Sequence, residues 1–109
     1  MRFPLQVTFR NMDHSPALEA RIGEKVAKLE QLCDEINGCQ VVVESEHRSQ
    51  HKGNLYRVRI DLTLPSRELV VSHQSPLDQA HEDAYVTVRD AFAAMRRQLQ
   101  RHLELARAS

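Results

Sequence analysis

The side chains best suited to chemistry in this chain are cationic. Arg21, Lys25 and Lys28 follow one another at i, i+4 and i+7. On a helix that spacing lines three positive charges along one stripe. Arg89 and Arg96 share a second line, with Arg97 and Arg101 turned further outward. Arg57 and Arg59 alternate, so a strand presents both on one face. The chemistry these groups offer is recognition of phosphate. A guanidinium is a planar fork of donors that matches phosphate oxygens, and a lysine is a mobile point charge. The competing reading is a solvated face with helix salt bridges, such as Glu24–Lys28 at i, i+4. Charged stripes beside an apolar helix face are common, so spacing alone favours that second reading. Glu19, Glu30 and Asp34 fall mainly away from the first stripe, but Glu24 and Glu35 lie close to it. Arg57 and Arg59 could equally pair across a sheet with Glu44 or Glu46, because the register is open at this stage.

Other chemistries find little support. His47 and His51 are four apart, but around a strand end and turn rather than on one helical face, so they lack ligand geometry. His81-Glu82-Asp83 reads as a polar helix start, where acids suit the helix dipole. His102 closes the apolar face of a helix. Cys33 and Cys39 form no CxxC motif and read as buried thiols. With three glycines there is no phosphate-cradling loop, and no nucleophile–base pairing is legible. The expectation is a non-enzyme without metal, cofactor or small-molecule substrate.

The length of 109 residues fits one domain spanning 1–109, and 41% hydrophobic residues suffice for one modest core. No apolar run approaches the roughly 20 residues of a membrane span. The N-terminus, Met1-Arg2-Phe3-Pro4-Leu5-Gln6, turns polar too soon for a signal peptide, so a cytoplasmic protein away from membranes is expected. Fifteen basic and fifteen acidic residues cancel, which counts against a generic polyanion binder unless the charges are unevenly distributed.

Six elements must position these side chains. Phe3, Leu5, Val7 and Phe9 alternate with polar residues in a half-buried strand ending at Arg10. Ser15-Pro16 reads as an N-cap and first helical proline. The helix then runs to about Glu35 on the stripe Leu18, Ile22, Val26, Leu29, Cys33 and Ile36, and Asn37-Gly38 stops it. Strands follow at Cys39 to about Arg48, Leu55–Leu64 and Glu68–His73, with Arg48 and Lys52 near the turn between the first two. A second helix spans about Gln79–Leu105, burying Tyr85, Val88, Phe92, Met95, Leu99 and His102 or Leu103. The predicted architecture is α+β, in the order β-α-β-β-β-α: a four-stranded sheet with two helices packed on one face.

The run L-E-A-R-I-G-E-K-V-A-K-L-E-Q-L-C-D-E-I-N-G-C-Q-V-V-V from Leu18 to Val43 resembles the hibernation-promoting-factor family. That family includes the protein Y ribosome-associated inhibitors and carries the older label sigma-54 modulation protein. Ala27-Lys28-Leu29-Glu30-Gln31 with Ile36-Asn37 is the centre of the resemblance. Asp83-Ala84-Tyr85 and Arg97-Gln98-Leu99 extend it along the second helix, and His51 to Leu62 resembles one branch. The resemblance implies the same β-α-β-β-β-α fold. It implies binding to the small ribosomal subunit against 16S rRNA near the decoding centre, overlapping mRNA and tRNA sites. Translation would stop by steric exclusion, and idle ribosomes would be preserved in stationary phase or stress. The family's rRNA-facing positions carry over to Lys25, Lys28 and Arg97; Arg21, Arg57, Arg59, Arg89, Arg96 and Arg101 join them from the face argument. The family often has an acid where Arg89 stands and a lysine where Ala94 stands. The chain ends at Ser109 without the C-terminal dimerisation domain of long members, so ribosome pairing would require a second hibernation factor.

Two other functions fit the topology. A double-stranded-RNA-binding module shares the α-β-β-β-α order, but needs lysines at the start of its last helix, where His81-Glu82-Asp83 would repel phosphate. A protein-interaction domain would act through the open sheet face and show little dependence on salt.

Overall fold

The computed structural model describes residues 1–47, 54–75 and 83–108. Its elements are β1 (Leu5–Arg10), α1 (Pro16–Leu32), β2 (Gly38–His47), β3 (Asn54–Thr63), β4 (Glu68–Gln74) and α2 (Ala84–Ala108). This is the predicted α+β order. The strands form one sheet, β1-β2-β3-β4, with β1 parallel to β2 and the other pairs antiparallel. Parallel neighbours need a crossover of a dozen residues or more, and α1 supplies it. The short Pro65-Ser66 link leaves β4 antiparallel to β3, and the Leu64 N–H donates to the Arg67 carbonyl across it at 2.9 Å.

Alternation along the strands creates one covered and one open face. Val41, Val43, Val58, Ile60, Leu62 and Val71 enter a core completed by Ile22 and Val26 of α1 and Val88, Met95 and Leu99 of α2. Both helices therefore cover the same face of the sheet. Each is set by its cap. The Ser15 hydroxyl accepts from the Leu18 N–H at 3.2 Å, and Pro16 needs no N-terminal partner. The Asp83 carboxylate accepts from the Val86 N–H at 3.0 Å, an N-cap that begins α2 at Ala84. The predicted start at Gln79 lies outside the described residues, as do Arg48, His51, Lys52 and His81-Glu82.

Two expectations need correction. α1 ends at Leu32 rather than Glu35, and Gly38 opens β2 instead of stopping the helix. Cys33 is extended, at φ −147° and ψ 117°, which drops both Cys33 and Ile36 into the core without another helical turn. The Asn37 N–H already donates to Thr63 across the sheet at 2.8 Å, so strand pairing takes over there. Tyr85, predicted to be buried, is 38% exposed. It precedes Phe92 by seven residues and Arg96 by eleven, which puts it on the flank of α2 turned towards α1. Ala84, Thr87 and Val88 take the buried positions instead.

A buried polar link holds the start of α2 to the sheet. The Ser75 hydroxyl lies 2.8 Å from that of Thr87 and 3.3 Å from both the backbone N–H and the carbonyl of Tyr56. Ser75→Ala leaves the Tyr56 N–H and the Thr87 hydroxyl without this partner, while the Tyr56 carbonyl keeps the residue 75 N–H at 2.9 Å, and it is expected to cost about 1–3 kcal/mol of stability in urea titrations, more than an exposed serine would.

Cys33 and Cys39 are buried free thiols. Burial pushes the Cys39 thiol up from its ordinary 9.0 to about 12, with the Asp61 carboxylate adding to the effect. The native state therefore keeps the proton that the unfolded chain releases above about pH 9. The associated stability is fully present below pH 9 and is lost as pH rises towards 12. At about pH 10 the expected loss is roughly 1 kcal/mol, and Cys39→Val should flatten this part of the stability–pH curve.

Candidate nucleic-acid interface

α1 and α2 pack side by side and leave a groove between them. It encloses about 200 Å³ and is lined by Lys25, Lys28 and Leu29 from α1 and by Arg89, Phe92, Ala93 and Arg96 from α2. Leu29 and Phe92 are buried core residues, so the floor is apolar and rigidly held. The cationic side chains stand along its walls because they flank the apolar stripes of the two helices. A second depression of about 210 Å³ shares Lys25 and Arg89 with the first and adds Arg21, Asp83, Tyr85 and Val86. Here the Arg21 guanidinium carbon sits 5.6 Å from the centre of the Tyr85 ring.

The charges in this groove are poorly compensated. Arg21 pairs with Glu24 at 3.6 Å and Arg89 with its neighbour Asp90 at 3.1 Å. Such exposed pairs contribute roughly 0–1 kcal/mol and are readily exchanged for another anion. The Glu24–Lys28 bridge that the spacing allowed is not formed, since Glu24 turns to Arg21. Among the described residues, Lys25, Lys28 and Arg96 have no ion pair. Among the described residues that line the two depressions, Arg21, Lys25, Lys28, Arg89 and Arg96 stand against one carboxylate, Asp83, with Glu24 and Asp90 paired at the edge. A chain of zero net charge thus concentrates positive potential over an apolar floor, where charge is less screened than in open water.

The remaining predicted positions scatter. Arg97 is exposed one turn beyond Ala93, outside the groove lining. Arg101 lies on the other flank of α2, in a depression with Arg67, Leu69, Gln98 and His102. The adjacent Gln98 side chain donates to the Val70 carbonyl on edge strand β4 at 3.2 Å. Arg57 and Arg59 occupy the open sheet face with Arg10, Gln40, Glu44 and Asp61, on the side away from the helices. Both are paired: Arg57 reaches Glu46 at 3.1 Å and Gln74 at 3.3 Å, and Arg59 reaches Asp61 at 3.2 Å. Register sets Glu44 directly opposite Arg57, yet the carboxylate that holds it is Glu46, one alternation further along β2. Arg10 and Arg67 also line these depressions without belonging to the expected set, and alternation along β1 by itself puts Arg10 on the open face. Among the described residues, no three His, Cys, Asp or Glu side chains gather as a metal site would require.

Residues 5–107 match the family described as Sigma 54 modulation protein / S30EA ribosomal protein. The chain belongs to that family. This is the hibernation-factor family that the helix and strand motifs resemble. The S30EA fold seen here is shared with a ribosomal subunit interface protein from Coxiella burnetii, at a TM-score of 0.75 and 20% identity over 94% of this chain and 99% of that one. It is also similar to the N-terminal domain of Protein Y from Thermus thermophilus, at a TM-score of 0.69 and 20% identity, covering 89% and 94% of the two chains. At that identity the likeness speaks for the fold alone. No curated protein matches the chain. No helix among the described residues is long and apolar enough to cross a membrane, and α2, despite its 25 residues, is amphipathic.

Proposed function

We propose that this S30EA-family chain binds the small ribosomal subunit, with the α1–α2 groove against 16S rRNA near the decoding centre. The observation that carries this reading is the cluster of Lys25, Lys28, Arg89 and Arg96 over an apolar floor, in a chain whose charges balance overall. Phosphate oxygens replace the weak Glu24 and Asp90 partners of Arg21 and Arg89 and find Lys25, Lys28 and Arg96 already free of carboxylates. Bound there, the domain occupies space needed by mRNA and tRNA, and translation is blocked by exclusion rather than by chemistry. The physiological setting is the idle ribosome of stationary phase or stress, in the cytoplasm.

Co-sedimentation with purified ribosomal subunits tests this. Comigration with the small subunit is expected at low salt, with affinity falling by roughly 0.7–0.9 log units per log unit of salt for each phosphate neutralised. Absence from the small-subunit fraction at low salt would sink the proposal, and salt-independent comigration would move the contact from rRNA to protein.

A further inference from the structure

We infer that Tyr85, with the Arg21 guanidinium beside it, is a stacking platform for one unpaired RNA base at the end of the cationic groove. The inference rests on the proposed rRNA binding and specifies what kind of RNA the groove meets.

Aromatic side chains are scarce in this sequence, and among the described phenylalanines and tyrosines Tyr85 alone is exposed. Phe3 and Phe92 are buried, and Phe9 and Tyr56 pack partly buried against the core. Tyr85, on the first turn of α2, keeps 38% of its surface in water and lies outside the buried core cluster, so it adds less to the fold than the other rings do. Its contact with Arg21, at 5.6 Å, is an exposed cation–π pair, and Arg21 is shared with Glu24. Tyr85 is therefore poorly explained by stability. Its position is explained by what adjoins it: Lys25 and Arg89 line both its depression and the groove of Lys28 and Arg96.

The two depressions differ in a way that sorts the parts of a nucleotide. The groove proper is lined by cations without a carboxylate and suits the phosphodiester backbone. The Tyr85 depression contains Asp83, whose carboxylate repels a phosphate but tolerates a neutral base. Flat surfaces lie beside that carboxylate, one aromatic and one guanidinium. Proteins commonly hold unstacked RNA bases on both kinds of surface. A paired helix cannot offer a base face there, so the site selects a bulged or looped nucleotide.

The test measures affinity for purified small ribosomal subunits across a salt series, using wild type, Tyr85→Ala, Tyr85→Leu, Tyr85→Phe and Lys25→Glu/Lys28→Glu. Stacking predicts that Tyr85→Ala weakens binding roughly tenfold or more with an unchanged salt slope, because no phosphate contact is lost. Tyr85→Phe retains the plane and should bind within about twofold of wild type. Tyr85→Leu retains apolar bulk without a plane and should not rescue. Wild-type affinity of Tyr85→Ala, alongside failure of the lysine variant, would overturn the platform and leave the proposed function standing. Loss in Tyr85→Phe, or rescue by leucine, would overturn it in favour of a hydroxyl or simple packing contact. Failure of wild type to bind small subunits would remove the proposed function and this inference together.

Discussion

Lys25→Glu/Lys28→Glu/Arg97→Glu is expected to abolish binding to the small ribosomal subunit while leaving the domain folded. None of the three side chains belongs to the apolar core; Lys28 and Arg97 are exposed and Lys25 is half-buried on the groove wall. Hydrogen bonds to charged groups contribute about 1.5–3 kcal/mol each, so three reversals should lower affinity on the order of a thousandfold or more. The groove geometry ranks them. Lys25→Glu/Lys28→Glu should account for most of the loss, because both line the groove, whereas Arg97 stands outside it. Arg57→Glu/Arg59→Glu should weaken binding less, since those arginines are held by Glu46 and Asp61 on the opposite face. Gradient sedimentation of each variant, with far-ultraviolet circular dichroism as the folding control, decides the ranking. Intact binding by the triple variant would mean that these positions are not the contact.

The largest effect on stability is expected from Phe92→Ala, at about 3–5 kcal/mol. Phe92 is 4% exposed and belongs at once to the shared core and to the groove floor. Its removal opens a void between α1, α2 and the sheet that the flanking Leu29 and Met95 cannot fill without leaving their rotamers. Urea unfolding should record the loss as a lower midpoint with little change in slope. Phe92→Leu should cost clearly less. Near-wild-type stability of Phe92→Ala would show that the floor is not continuous with the core, and the rigidity ascribed to the groove would fall with it.

The fold was readable because its two periodicities are clean. Tyr56, Val58, Ile60 and Leu62 alternate, Ile22, Val26 and Leu29 recur at helical steps, and no competing pattern interrupts either. The errors arose where tertiary contacts override local signals. Asn37-Gly38 looks like a helix stop, but the sheet claims the chain from Asn37 onward. Tyr85 is apolar enough for a core position, yet an N-cap at Asp83 and the buried Ser75–Thr87 link fix the rotation of α2 so that its ring faces the α1 flank.

The site was legible one helix at a time. The spacing of Arg21, Lys25 and Lys28 defined one stripe, and Arg89 with Arg96 defined another. That the stripes meet across one groove depends on how α1 and α2 pack, which no local pattern encodes. Pairing was equally hidden. Whether Glu24 holds Arg21 or Lys28, and whether Glu44 or Glu46 holds Arg57, follows from rotamers and register rather than from residue type.

The most direct measurement is a reconstruction of the small ribosomal subunit with this protein bound, read for which face meets the rRNA. The expected result is the α1–α2 groove against 16S rRNA phosphates near the decoding centre, with Lys25, Lys28, Arg89 and Arg96 in contact and the open sheet face turned away. A complex held through the sheet face around Arg57 and Arg59, with the groove in solvent, would contradict it.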